Sequence, residues 1–196
     1  MSNQTEHDRM SDLDEDAPLV DRSLMGDADA FAELVSRHQQ RIHNLAYRMS
    51  QSADEAADLA QETFVRAWQQ LDTFRADARF STWLYRLAIR VCLNAGRAAA
   101  SRNKARETFG RECLLEESVH NLVPESDRTE RVQLALQRLE PALRAAIVLT
   151  VYDGLDHAEA ARMLGCAETT ISWRLFMARR KLRHWLKELD TGRKGP

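Results

Sequence analysis

Apolar residues in this chain recur at steps of three and four, and no apolar stretch alternates with polar residues as a half-buried strand would. Steps of three and four put side chains on one face of a helix, whereas alternation puts them on one face of a strand. The fold class that follows is all-α. From Asp29 onward the stripe is Phe31, Leu34, Val35, His38, Ile42, Leu45, Ala46 and Met49, ending near Ser50. Ser52 followed by Glu55 reads as a capping box, so a second helix starts there and buries Ala60, Phe64, Ala67, Trp68 and Leu71. After the polar stretch from Asp72 to Arg79, Ser81 is expected to cap a third helix running to about Arg97. Its stripe of Leu84, Leu87, Ala88 and Val91 leaves Trp83, Arg86, Arg90, Asn94 and Arg97 together on another face.

Residues 98–128 lose this periodicity, begin basic, turn acidic through Glu112, Glu116 and Glu117, and contain Pro124, the pattern of a linker. Helical spacing resumes with Asp127 and Glu130 as a cap, then Val132, Ala135, Leu136 and Leu139. Pro141 suits the first turn of the next helix, where its missing N–H had no partner to lose, and that helix ends near Asp153 and Gly154. Asp156 with Glu159 makes another capping box, and Gly165 closes the short helix it opens. A last helix from about Glu168 to Leu189 buries Ile171, Leu175, Ala178, Leu182 and Leu186. The chain is therefore expected to form two small helical domains: 21–97 and 128–190, separated by a flexible linker over 98–127. An acidic extension over 1–20 and a tail over 191–196 flank them.

The charge pattern adds a partner class. Lys and Arg number 28 against 30 Asp and Glu, a net −2, so the whole chain argues for no partner. Its distribution does: residues 75–106 hold eight bases and one acid, and 171–196 hold eight bases and two acids. Residues 1–30 carry nine acids and two bases. Two separated basic blocks in an acidic chain suggest two contacts with a polyanion, against the plainer reading of two solvated faces. The three cysteines, Cys92, Cys113 and Cys166, have no paired spacing, which fits a reducing compartment and gives no zinc framework. The apolar run Ala145–Leu149 is far short of the roughly 20 residues a membrane span needs, and Met1–Asp16 lacks the marks of a signal peptide. The expected location is cytoplasmic.

Two constellations carry function. In Leu155–Arg183 a short helix, a tight turn at Gly165 and a longer basic helix match a helix-turn-helix, whose second helix enters the major groove. Thr169, Ser172, Trp173 and Phe176 are placed to reach base edges or thymine methyls, and Arg174, Arg179, Arg180 and Lys181 to hold phosphates. A helical hairpin with a basic outer face is the alternative. In Asp72–Arg97, Phe74, Phe80, Trp83 and Tyr85 are interleaved with Arg75, Arg79, Arg86 and Arg90. Aromatics that stack on unpaired bases, among cations that follow the backbone, make up a single-strand surface, although Phe80 and Tyr85 equally suit a core.

The runs Asp58-Leu-Ala-Gln-Glu-Thr-Phe-Val-Arg-Ala-Trp68, Phe80-Ser-Thr-Trp-Leu-Tyr-Arg-Leu-Ala88 and Gly154-Leu155 to Leu182 resemble the bacterial sigma factors of the extracytoplasmic function (ECF) group in the sigma-70 family. The resemblance covers about residues 20–97 and 128–188 in the family's order. It implies a sigma-2 domain, a linker, and a sigma-4 domain containing the helix-turn-helix. It also implies core RNA polymerase as partner, with the second sigma-2 helix docking Asp58, Gln61 and Glu62 on the clamp helices of the largest subunit, and sigma-4 near the flap region. For that acidic stretch the alternative is a solubilising helix start favoured by the dipole. The -10 element would be opened and held by Arg75, Arg79, Trp83, Arg86, Arg90 and Asn94. The -35 element would be read as duplex by Thr169, Ser172, Trp173, Arg174, Phe176, Arg179 and Arg180. A cognate anti-sigma factor, often membrane-anchored, is a further implied partner, holding the chain near the membrane when idle and leaving it nucleoid-associated when active.

The chain departs from the family at Ser172-Trp173, where many members carry Arg-Ser, so base preferences at -35 do not carry over. The acidic first twenty residues also lie outside the resemblance, as a disordered tail or a regulatory segment. A helix-turn-helix regulator that is not a sigma factor accounts for 128–188 but leaves Asp58–Arg97 without a role. An enzyme is not expected: the sequence has no Gly-rich phosphate loop, no Gly-x-Ser-x-Gly turn and no paired metal spacing. No cofactor, small-molecule substrate or direct membrane insertion is expected either.

Overall fold

Every regular element among the described residues is helical. The computed structural model describes residues 15–75, 78–109 and 128–191, with side chains described for 15–75, 78–102 and 132–186. Two compact units divide after Cys92. The first contains α1 (residues 15–24), α2 (Ala28–Ser50), α3 (Ala53–Gln69), a 3-10 turn (Leu71–Thr73) and the start of α4 (Phe80–Phe109). The second contains α5 (Arg128–Gln137), α6 (Pro141–Ile147), a π turn (Val148–Tyr152), α7 (His157–Leu164) and α8 (Glu168–Thr191).

α1 corrects the expected acidic tail. Leu19 and Val20 are buried, and Asp16 is buried with them. Its carboxylate is not left alone there: His38 lies 2.8 Å from one oxygen and Arg37 donates to the other at 3.4 Å. Two apolar residues inside an acidic run were too weak a period to read from composition. Residues 1–14 of the expected extension lie outside the described residues. α1 ends at Gly26, whose φ of 91° few other residues adopt readily, and Asp27 then caps α2 by accepting from Asp29 N–H and Ala30 N–H.

α2 buries Leu34, Ile42, Leu45, Ala46 and Met49, and α3 buries Ala56, Leu59, Ala60, Phe64 and Ala67. Between them Gln51 takes a left-handed φ of 63° and donates its N–H to Tyr47 C=O at 2.7 Å. Ser52 Oγ accepts from Glu55 N–H at 3.3 Å, which is one half of the expected capping box. Ser81 is not a cap, because α4 already starts at Phe80 and the Arg79 carbonyl accepts from Thr82 and Trp83. Within this unit Phe80, Leu84, Tyr85, Leu87, Ala88 and Val91 are core, which decides the open reading of Phe80 and Tyr85.

α4 continues to Phe109, past the Arg97 end expected and into the expected linker. Losing the apolar stripe does not end a helix when the residues are Ala98, Ala99, Ala100, Arg102 and Lys104, all strong helix formers. Residues 110–127, and the expected cap by Asp127, lie outside the described residues.

In the second unit Pro141 occupies the first turn of α6, as expected. The following π turn, closed by Asp153 N–H on Val148 C=O at 3.1 Å, was not legible as a separate element. Arg144 is buried and donates to the carbonyls of Leu136, Gln137 and Leu139, so its guanidinium satisfies the end of α5. α7 opens on the full capping box: Asp156 accepts from Glu159 N–H at 2.7 Å and Glu159 from Asp156 N–H at 3.0 Å. It closes at Gly165, φ 61°. α8 packs Ile171, Leu175 and Ala178 on α6 and α7. No helix among the described residues is long and apolar enough to cross a membrane.

Candidate nucleic-acid and polymerase interfaces

On α3, Asp58 and Gln61 are exposed as expected, one turn apart on the face away from the core. Glu62 is half-exposed and already paired: Arg66 Nε donates to it at 2.6 Å. An exposed pair of this i,i+4 kind is worth about 0.3–0.5 kcal/mol, little enough for a partner to rearrange. Beside them lies a groove of about 820 Å³ between α2 and α3, lined by Phe31, Val35, Gln61, Phe64, Val65 and Trp68 among others. Trp68, expected in the core, is 39% exposed and meets Phe31 edge-to-face at 4.9 Å. The groove was missed because period alone does not separate a helix face that meets its neighbour from one that stops short of it. Val65, off the buried stripe and 45% exposed, was the available signal.

On α4, Arg90, Asn94 and Arg97 are spaced at steps of four and three, with Arg97 donating to Asn94 Oδ1 at 3.4 Å. Arg75 is exposed and Arg79 half-buried in the preceding loop, of which residues 76–77 lie outside the described residues. Trp83 is half-buried, because it packs on Phe74 and Phe80 with ring centroids 5.6 and 5.7 Å away. Phe74 and Phe80 meet edge-to-face at 5.9 Å, which closes a trio, and His38 adjoins Phe80 at 5.6 Å. Arg86, on the same helix, has a buried Nε without a hydrogen-bond partner among the described residues. Within the first unit this sets Phe74 and Trp83 in the same stretch as the cations Arg75, Arg79 and Arg90, a make-up suited to a strand whose bases are unpaired.

On α8, Trp173 and Phe176 are 58% and 62% exposed, and Thr169, Arg179 and Arg180 lie along the same helix, with both arginines exposed. Three expected contacts are otherwise engaged. Arg174 is half-buried with its guanidinium 3.6 Å from Cys166 Sγ, turned toward the α7–α8 turn. Lys181 donates to Glu140 at 2.6 Å. Ser172 is exposed, but its hydroxyl donates to Glu168 C=O at 3.3 Å and lies 3.1 Å from His157 Nδ1. His157, at the start of α7, was not legible as part of this surface: it is fifteen residues away in the chain.

Residues 34–102 match the family model of sigma-70 region 2, and residues 129–182 match that of sigma-70 region 4. The ECF RNA polymerase sigma factor SigM of Mycobacterium tuberculosis is 36% identical over 90% of this chain and 87% of its own length. The ECF RNA polymerase sigma-E factor of Escherichia coli K12 is 35% identical over 87% of this chain and 93% of its own. This chain belongs to the ECF sigma factors. Among solved structures, the sigma factor RpoE in complex with the anti-sigma factor NepR, from Bartonella quintana, superposes with a TM-score of 0.57 at 27% identity, covering 80% of this chain and 96% of that one. The α3 and α4 faces of this sigma factor fall in the region 2 match and the α8 face in the region 4 match. α1 precedes both.

Proposed function

We propose that this ECF sigma factor divides promoter recognition between two chemically different faces and docks on core polymerase through a third. The carrying observation is the contrast between Trp83, half-buried against Phe74 and Phe80 at the start of α4, and exposed Trp173 and Phe176, which share α8 with exposed Arg179 and Arg180. The first suits the -10 element once its strand is open, with Arg75, Arg79, Trp83, Arg86, Arg90 and Asn94 along its course. The second suits the -35 element as closed duplex, with Thr169, Trp173 and Phe176 toward base edges and Arg179 and Arg180 toward phosphates. Arg174, turned to Cys166, supports that helix from behind, and Ser172, on the exposed face, engages Glu168 C=O and His157 rather than a base edge.

Asp58, Gln61 and Glu62 dock on the clamp helices of the polymerase largest subunit, and the apolar groove beside Gln61 supplies the buried area that three polar side chains lack. In the second unit Val151, 59% exposed in the π turn, is assigned to the flap region. A cognate anti-sigma factor that covers the α2–α3 face restrains the chain when its regulon is idle. The sigma-2 domain is taken as 21–97, with the part of α1 before residue 21 as its brace, and the sigma-4 domain as 128–190. Run-off transcription with core enzyme over a promoter library tests the reading, and promoter-dependent transcripts are expected. DNA binding with no transcripts would instead indicate a helix-turn-helix regulator. Replacing Asp58, Gln61 and Glu62 by Ala is expected to leave folding intact and weaken holoenzyme formation; unchanged affinity for core would remove them from the docking face.

A further inference from the structure

We propose that His157 and Ser172 form a proton-linked phosphate site at the edge of the α7–α8 pair, so that duplex binding by this unit takes up a proton. The inference rests on the duplex-binding role of α8 argued above. His157 stands at the first position of α7, exposed, and shares with Phe176, Arg179, Arg180 and Arg183 a recess of about 390 Å³. Three guanidinium groups around one cavity favour an anion, and the anion a duplex offers beside a major-groove helix is a backbone phosphodiester.

The two contacts of Ser172 are satisfied together by one proton arrangement on His157. A hydroxyl has one hydrogen, and a carbonyl can only accept, so the Ser172 hydrogen goes to Glu168 C=O. The Ser172 oxygen is left as an acceptor, and its 3.1 Å contact with Nδ1 is made by an Nδ1–H donor. While Ser172 keeps both contacts, Nε2 of the neutral ring is an acceptor, as phosphate oxygens are, and the two repel; the neutral ring offers Nε2–H only when Ser172 gives up Glu168 C=O and turns its hydrogen to Nδ1. Only the doubly protonated ring presents Nε2–H to a phosphate while Nδ1–H keeps Ser172. Binding a phosphodiester here takes one proton from solvent onto Nε2, and release returns it.

The other charged groups around the ring are few. Asp156 and Glu159, flanking it at the start of α7, have carboxylates engaged in the cap of that helix. From α8 come Arg179, Arg180 and Arg183, with Glu168 one turn before Ser172. The arginines keep their charge throughout the accessible range, so a pH dependence removed by changing His157 belongs to His157. Ser172 is thus a positioning residue that biases the tautomer of His157.

The test is binding of the full chain to a fluorescein-labelled random-sequence duplex, followed by anisotropy between about pH 6 and pH 8, the range in which imidazoles titrate. Wild type is expected to weaken with rising pH by up to about tenfold per unit more than His157→Gln, the limit for one linked proton. Ser172→Ala is the sharper variant. Freeing Nδ1 lets the neutral ring carry its hydrogen on Nε2, so S172A is expected to hold affinity at the alkaline end while its pH slope shrinks toward that of H157Q. A purely structural serine would instead lower affinity at every pH. Parallel pH curves for wild type and H157Q, or an unchanged slope in S172A, would overturn the inference alone. No duplex binding by any form would overturn the duplex-binding reading of α8 and the inference with it.

Discussion

The α4 and α8 faces use the same residue types in opposite ways. At the start of α4 the aromatic rings touch one another: Phe80 and Trp83 of the helix and Phe74 of the loop before it lie within 5.6–5.9 Å in all three pairings, and Phe80 is core. On α8 Trp173 and Phe176 are largely in solvent. The cations divide less sharply: Arg86 Nε is buried on α4, but Arg90 and Arg97 on that helix are exposed, as Arg179 and Arg180 are on α8. A rigid aromatic wall resists collapse when one base of a strand must be held apart from its neighbours, since little side-chain entropy remains to be lost. Free aromatics on a groove-shaped helix can adjust to base edges already held in place by pairing. An aromatic among arginines is thus a surface or a support depending on what its ring already touches.

The largest effect expected is on the cores behind the two faces. Leu84→Ala empties a fully buried position behind α4 and should cost about 2–5 kcal/mol. Hydrogen exchange should rise across α2, α3 and the start of α4 while α8 keeps its protection; a uniform rise would break the division into two units. Next come the aromatics themselves. Trp83→Ala should lower Tm and also impair opening by about 1–3 kcal/mol, roughly one to two factors of ten in open population. Trp173→Ala should leave Tm unchanged and weaken duplex capture by about 1–3 kcal/mol if its ring reads one base pair. Equal Tm decreases for the two would erase the contrast between wall and free surface.

A smaller difference concerns the thiols. Burial pushes Cys92 up to about 12, so its thiolate is scarce at neutral pH, whereas Cys166 is partly exposed at the α7–α8 turn. Peptide mapping after brief iodoacetamide treatment should find Cys166 modified well before Cys92. The smallest effect expected is at Asp27, whose carboxyl is held below its usual range by the Ala30 N–H and by Arg22. A lowered folded value contributes stability at neutral pH that disappears as pH falls through that value. Asp27→Ala should therefore lower Tm slightly at neutral pH and not at all in strong acid.

Much of this was legible in the sequence because caps and stripes are local. Asp156 with Glu159, Gly165, Pro141 and the stripe Leu84–Val91 each needed only neighbours within a few residues, and each sits where the spacing put it. What failed was long-range. The apolar groove at Trp68 depends on where α2 parts from α3, the buried Arg144 on carbonyls of the preceding helix, and the His157–Ser172 contact on the turn between α7 and α8. The end of α4 was misplaced for another reason: alanines and lysines sustain a helix without leaving an apolar period to detect. The site residues were legible as types and spacing, and only packing distinguishes Arg174, turned to Cys166, from the exposed Arg179.

The division of labour is the central claim, and permanganate footprinting of holoenzyme on paired promoters and on promoters mismatched at the -10 element tests it most directly. Trp83→Ala is expected to lose reactivity at the -10 thymines on paired DNA and regain most of it on the mismatched template, because the cost of opening has been removed. Arg179→Ala is expected to weaken capture on both templates equally and to flatten its salt dependence, as removing a phosphate-binding cation does. A mismatched bubble that rescues Arg179→Ala but leaves Trp83→Ala defective would contradict the account.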